Sequence, residues 1–213
     1  MIQLSLPKKD PLRILCLGAH CDDIEIGCGG TLLKVFKNYQ IEKVKWIVFS
    51  GNETRREEAL ASAHRFAGEV QSEITVLRFP DAHFSHKRME IKEYFESLKT
   101  FGPSLIFTHY EHDKHQDHRL LNELTWNTFR NHMILEYEIP KYDGDIGNPT
   151  CYVPLSEKLV NQKTENLIKC FSSQIGKHWF DAETFRSLMR IRGMECASPR
   201  RYAEAFHVRK WTL

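Results

Sequence analysis

No window of this sequence stays apolar long enough to span a bilayer, which excludes a helical membrane protein. The N-terminus carries Lys8 and Lys9 but lacks the continuous apolar run of a secretory leader, so export is not expected. The six cysteines include no Cys-x-x-Cys pair, which argues against a cysteine-rich zinc finger or a thioredoxin-like site. Without an export signal they read as reduced thiols, and the cytoplasm is the expected location. There is no basic stripe either. The formal net charge is +2 with Lys and Arg spread along the chain, so no nucleic-acid partner is expected. Internal repeats and low-complexity tracts are absent. The glycines Gly27, Gly29 and Gly30 lack G-x-G-x-x-G spacing, and the carboxylates before them would repel a pyrophosphate, which disfavours a dinucleotide-binding module.

What is present is an ordinary globular composition, 41% hydrophobic and 27% charged, over 213 residues, enough for one domain with a substantial core. After a lead-in over 1–12 interrupted by Pro7 and Pro11, apolar runs at 13–19, 44–50, 74–79 and 104–109 read as buried strands. Helical patterns follow at 28–38, at 55–67 capped by Thr54 with Glu57 in a capping box, at 87–99 and at 119–129. Such alternation predicts an α/β fold, a Rossmann-like three-layer sandwich with a mostly parallel central sheet and its site at the C-terminal edge of the strands. Beyond 131, a strand at 133–139, a turn-rich rim loop at 141–149, helices capped by Ser156 and Asp181, and a last strand at 202–206 are expected. They read as additions to the same domain, core 13–131 with 132–213 as rim and closing elements.

The first strand ends in His20, Asp22, Asp23 and Glu25; the fourth ends in a loop carrying His109, His112, His115 and His118. Two such loops on one sheet edge meet in space although they lie far apart in sequence. So many charges beside a core need a cation or a substrate to compensate them. A catalytic zinc takes three protein ligands from His and Asp or Glu and keeps one position for water. His20, Asp23 and one histidine of the second loop suffice for that, and Asp22 is placed to act as general base. A protonated histidine of the second loop is then available to stabilise the oxyanion and protonate the leaving amine. Cys16 reads as core, and Cys21 as a small apolar neighbour or an extra ligand. The chemistry is hydrolysis of an amide or ester.

The same residues carry a family resemblance. His20-Cys-Asp-Asp-Ile-Glu with Gly27-Cys-Gly-Gly-Thr31 resembles the first signature of the PIG-L/LmbE-type zinc-dependent N-acetylglucosaminyl deacetylases, and His115-Gln-Asp-His118 resembles their second. Arg55-x-x-Glu58-Ala59, Phe79-Pro-Asp81 and Tyr202-Ala-Glu-Ala-Phe206 resemble further family segments. The resemblance covers 13–131 well and the remainder weakly. It implies His20, Asp23 and His118 as zinc ligands, with Fe2+, Co2+ or Mn2+ also accepted by such a set. It further implies Asp22 as general base, His115 as oxyanion stabiliser, Asp117 as orienter of His115 or of the metal site, and Arg55 as a substrate contact. Cys21 and Gln116 replace the family's prolines, which loosens two loops but loses no ligand.

The implied substrate is a small N-acetylated amino sugar: a GlcNAc-type glycoside, a nucleotide sugar or a polysaccharide precursor. A zinc amidohydrolase for a non-sugar amide is the alternative, followed by a non-catalytic sugar- or metal-binding protein. For substrate grip outside the motifs, Lys141, Tyr142, Arg190, Arg192 and Arg200 are the candidates, against an ordinary exposed-charge reading. Glu204 and Tyr202 read as plain strand residues. Oligomeric state is not legible.

Overall fold

The structure, a computed structural model, describes residues 4–6 and 10–210; Pro7 of the expected lead-in lies outside them. In chain order the elements are β1 (Leu12–Gly18), α1 (Asp23–Asn38), β2 (Ile41–Val48), α2 (Glu53–Ala67), β3 (Ser72–Val76), α3 (Arg88–Leu98), β4 (Leu105–His109), α4 (Gln116–Thr128), β5 (Met133–Tyr137), β6 (Cys151–Leu155), α5 (Glu157–Cys170), α6 (Ala182–Glu195) and β7 (Tyr202–His207). They build one seven-stranded sheet of order β3-β2-β1-β4-β5-β7-β6. The five strands from β3 to β5 run parallel, and β7 runs antiparallel to both β5 and β6. The expected α/β sandwich with a mostly parallel sheet is the observed fold.

The physical cause is the two-residue period of strands whose faces are both covered. Along β1, Leu12, Ile14 and Cys16 enter the core shared with α1, α2 and α5, whereas Leu15 and Leu17 enter the core shared with α3 and α4. β1 and β4 are neighbours although β2 and β3 lie between them in sequence. The sheet order therefore reverses between β1 and β4, which opens a crevice at their carboxyl ends. Among the described residues no helix is long and apolar enough to cross a membrane.

Several expectations need correction. α1 begins at Asp23, not 28, so the glycines lie inside it. Three neighbours require them: a Cβ on Gly27 would overlap the Tyr137 ring, one on Gly29 would stand 2.6 Å from Phe66 and one on Gly30 2.6 Å from Leu155. The cap of α2 is Asn52, whose Oδ1 accepts from the Arg55 amide at 3.0 Å; Thr54 is already in the first turn. α4 starts earlier than expected, with His115 as its cap. β3 stops at Val76, beyond which Leu77 and Phe79 still donate to the carbonyls of Val48 and Phe49. β6 is a strand the sequence reading did not place; it contains Pro154 and forms as the outermost strand, where a missing amide is tolerated.

Candidate active site

β1 delivers the first half of the site and β4 the second. Past Gly18 the chain turns through His20 into α1, with Asp22 at the N-cap position. Asp22 makes no capping bond, so its carboxylate is not spent on the helix. Asp23 Oδ2 instead accepts from the His20 amide at 2.6 Å, which fixes the turn. Past His109 the second loop runs to α4, where His115 Nδ1 accepts from the Asp117 amide.

Three donor atoms converge between the loops. His20 Nδ1 stands 3.2 Å from His118 Nε2 and 3.4 Å from Asp23 Oδ2, and His118 Nε2 stands 3.5 Å from the same oxygen. The other nitrogen of each ring faces a carboxylate: His20 Nε2 lies 2.9 Å from Asp81 and 3.5 Å from Asp117, and His118 Nδ1 lies 2.9 Å from Asp113. With their outer nitrogens as donors, the two rings turn lone pairs toward each other and toward a carboxylate oxygen. That arrangement calls for positive charge at the centre, either a divalent ion or a proton on His20 Nδ1 bonded to His118 Nε2. Zinc bonds of about 2.0–2.1 Å at tetrahedral angles separate ligand atoms by about 3.3–3.4 Å, so the triangle has the right edge, and carboxylates behind ligating histidines are the usual support. The residues present fit a divalent metal.

The electrostatics around the triangle are steep. Burial and the neighbouring His109 push His118 down to about 4 despite Asp23 and Asp113. Burial opposes charge on His20, but Asp117, Asp23 and Asp81 together lift its pKa well above the ordinary value. Burial likewise opposes charge on Asp23, yet His118 and His109 hold it well below the usual carboxylate range. Asp22 is raised, chiefly by burial, although Arg55 Nη2 lies 2.6 Å from its Oδ1. The second Asp22 oxygen is buried without a hydrogen-bond partner. His115 is lowered by burial and by His20.

All seven residues singled out by sequence lie in this one region, with differences of detail. Arg55 grips Asp22. The Asp117 carboxylate accepts from the amides of Ala82 (2.7 Å) and Phe84 (3.2 Å) and faces His20, so it serves the metal side and not the His115 ring. His109 Nε2 accepts from the Ala19 amide at 2.9 Å, committing that lone pair to the scaffold, although its ring lies near Asp23 and His118. His112 packs edge-on against Tyr110. Cys21 Sγ donates to the Ser50 carbonyl, and its thiol is pushed up to about 12 by burial, so it is a packing residue.

Sequence reasoning missed Asp81, Asp113 and Tyr137. Asp81 sits in the quoted Phe79-Pro-Asp81 segment, and the hydrogen bond from His20 holds its carboxyl at about 2. Asp113 supports His118 and also lies 3.0 Å from Lys141 Nζ. Lys141 is almost buried and pairs with Asp145 too, while Arg192 is buried against Glu138, so neither is a free grip for substrate. Tyr137 Oη donates to the Leu17 carbonyl at 2.6 Å, tying β5 to the end of β1. Its neighbours gave no polar motif to read.

Solved structures share this architecture at low identity. N,N'-diacetylchitobiose deacetylase from Pyrococcus horikoshii superposes with a TM-score of 0.74 at 21% identity, over 94% of this chain and 85% of that one. The 4-carboxy-2-hydroxymuconate hydratase GalB from Pseudomonas putida KT2440 gives 0.75 at 15%, over 95% and 98%. The A40926 pseudoaglycone deacetylase gives 0.68 at 18%, over 96% and 100%. These likenesses establish the fold. Residues 15–129, which hold both halves of the site, match the model of the PIG-L family, GlcNAc-PI de-N-acetylase. The chain belongs to the PIG-L family.

Proposed function

We propose that the protein is a metal-dependent hydrolase that removes the acetyl group from an N-acetylated amino sugar of the GlcNAc type. The observation that carries this is the triangle of His20 Nδ1, Asp23 Oδ2 and His118 Nε2 beside the unpartnered oxygen of Asp22. The family and the deacetylases among its structural neighbours support the acetyl group and the sugar. We infer one catalytic domain over residues 1–213, with 132–213 as rim and closing elements. The unpaired state of all six cysteines accords with a cytoplasmic location.

His20, Asp23 and His118 would hold the ion, zinc by the donor set, with iron, cobalt or manganese as alternatives. When bound it supplies Lewis acidity and a more acidic water. Asp22 takes the proton of the attacking water on its free oxygen while Arg55 holds the other. Its raised pKa suits it to carry that proton and hand it to the amine nitrogen as the C–N bond breaks. His115, its Nδ1 engaged by the Asp117 amide, carries its proton on Nε2 and, neutral as its lowered pKa requires, donates a hydrogen bond from Nε2 to the oxyanion.

The test is acetate release by metal-stripped protein, with and without zinc, over free, glycosidic and nucleotide-linked N-acetylhexosamines. Zinc-dependent release from one class is expected. Metal binding without release from any of them would move the reading to a non-sugar amide, and hydration of an unsaturated acid instead would align the chain with the hydratase neighbour. Absence of metal binding would overturn the site itself.

A further inference from the structure

In the middle of α1 an ion pair from outside the helix bonds to the backbone. The Gly30 and Thr31 amides donate to the carboxylate of Glu204 on β7, at 2.8 and 2.6 Å. The Ile26 carbonyl accepts from Lys163 Nζ of α5 at 2.6 Å, and Lys163 pairs with Glu204 at 2.5 Å. Both side chains are buried, with 3% of each exposed. Glu204 is thus not the plain strand residue that the sequence implied.

The charges are matched to the backbone groups they meet: Glu204 accepts from two amides and Lys163 donates to a carbonyl, so each complements the local backbone dipole. Gly30 makes room for the carboxylate, since a Cβ there would stand 3.0 Å from Glu204 Oε1. Packing alone does not hold the turn, because a small cavity lined by Ile26, Gly27, Lys163 and Glu204 borders it. The turn leads straight to the site: the Ile26 amide donates to the Asp22 carbonyl at 3.0 Å.

We propose that the buried Lys163–Glu204 pair is a positioning device, which sets where Asp22 and Asp23 stand relative to His118 by fixing the Ile26 peptide from outside α1. Neither residue touches the metal ligands or the substrate. The inference rests on the metal-hydrolase reading of the site.

Co2+ titration followed by visible absorption tests it on three proteins: wild type, Glu204→Gln, and the double variant Lys163→Met/Glu204→Gln. The double variant removes both charges and so relieves the unpaired buried ammonium that the single variant leaves. Its metal-free melting temperature is expected to recover above that of the single variant. Co2+ affinity is expected to stay about tenfold or more below wild type in both, with an altered absorption spectrum. A folded variant with wild-type affinity and spectrum would overturn the proposal. So would a double variant that does not fold, since the pair would then be a requirement of the fold itself. Wild-type protein that takes up no Co2+ would overturn the metal reading and leave the pair a structural feature.

Discussion

Arg55 and Asp22 form a half-occupied carboxylate: Nη2 of Arg55 lies 2.6 Å from Oδ1, and Oδ2 is buried without a partner. The guanidinium holds the proposed base in one orientation and leaves one oxygen for a proton. Arg55→Ala is expected to lower kcat about a hundredfold with a smaller change in KM, since displacement of a catalytic group by about 1 Å costs that much. A rise in KM alone in steady-state kinetics would return Arg55 to the substrate contact that the family resemblance implies. Arg55→Lys is not expected to rescue, because an ammonium does not reproduce the planar guanidinium.

Asp22→Asn removes the proton acceptor but not the metal donors. Turnover is expected to fall about 10²–10⁴-fold with metal content unchanged, measured by acetate release beside elemental analysis. A wild-type rate in this variant would refute the base assignment.

Asp113 is the carboxylate behind His118 Nδ1, 2.9 Å away. Asp113→Asn is expected to weaken metal binding about 10–100-fold in competition with a chelating indicator. Lys141→Met, which removes the cation 3.0 Å from the same carboxylate, is expected to act in the same direction and by less. Equal affinity in all three proteins would show that the rim loop is tied to Asp113 without consequence for the metal.

Glu25 is fully buried with neither oxygen hydrogen-bonded, and burial lifts its pKa from 4.5 to about 8. The folded chain thus binds this proton more tightly than the unfolded chain does. The resulting stability is complete below pH 4.5 and is lost progressively as pH rises to about 8. In metal-free protein, the melting temperature of Glu25→Gln is expected to exceed that of wild type increasingly across this window and then level off. Parallel curves for the two proteins would place an unseen partner on Glu25.

The strands were legible because burial on both faces leaves a mark in composition: Ile14 to Leu17 and Leu105 to Thr108 read as buried strands before any helix is placed. The site was legible for a related reason. His20, Asp22 and Asp23, like His115 and His118, stand together in sequence because each group is carried by one loop after one strand. Supporting residues left no such mark. Asp81 and Asp113 are recognisable only once β1 and β4 are known to be neighbours, and Tyr137 only once β5 is placed beside β4. Lys141 and Arg192 look like exposed cations until their buried carboxylate partners are seen.

The sequence by itself determined the α/β class and the two loops whose histidines and carboxylates converge in the structure. Those features depend on periodicity and on side-chain type within short stretches. Tertiary structure alone decided which nitrogen of each histidine faces the centre, that Arg55 holds Asp22, and that Glu204 and Lys163 bond to the backbone of α1. Each of these is a distance between segments far apart in the chain, and such distances are fixed only when the strands pair and the helices pack.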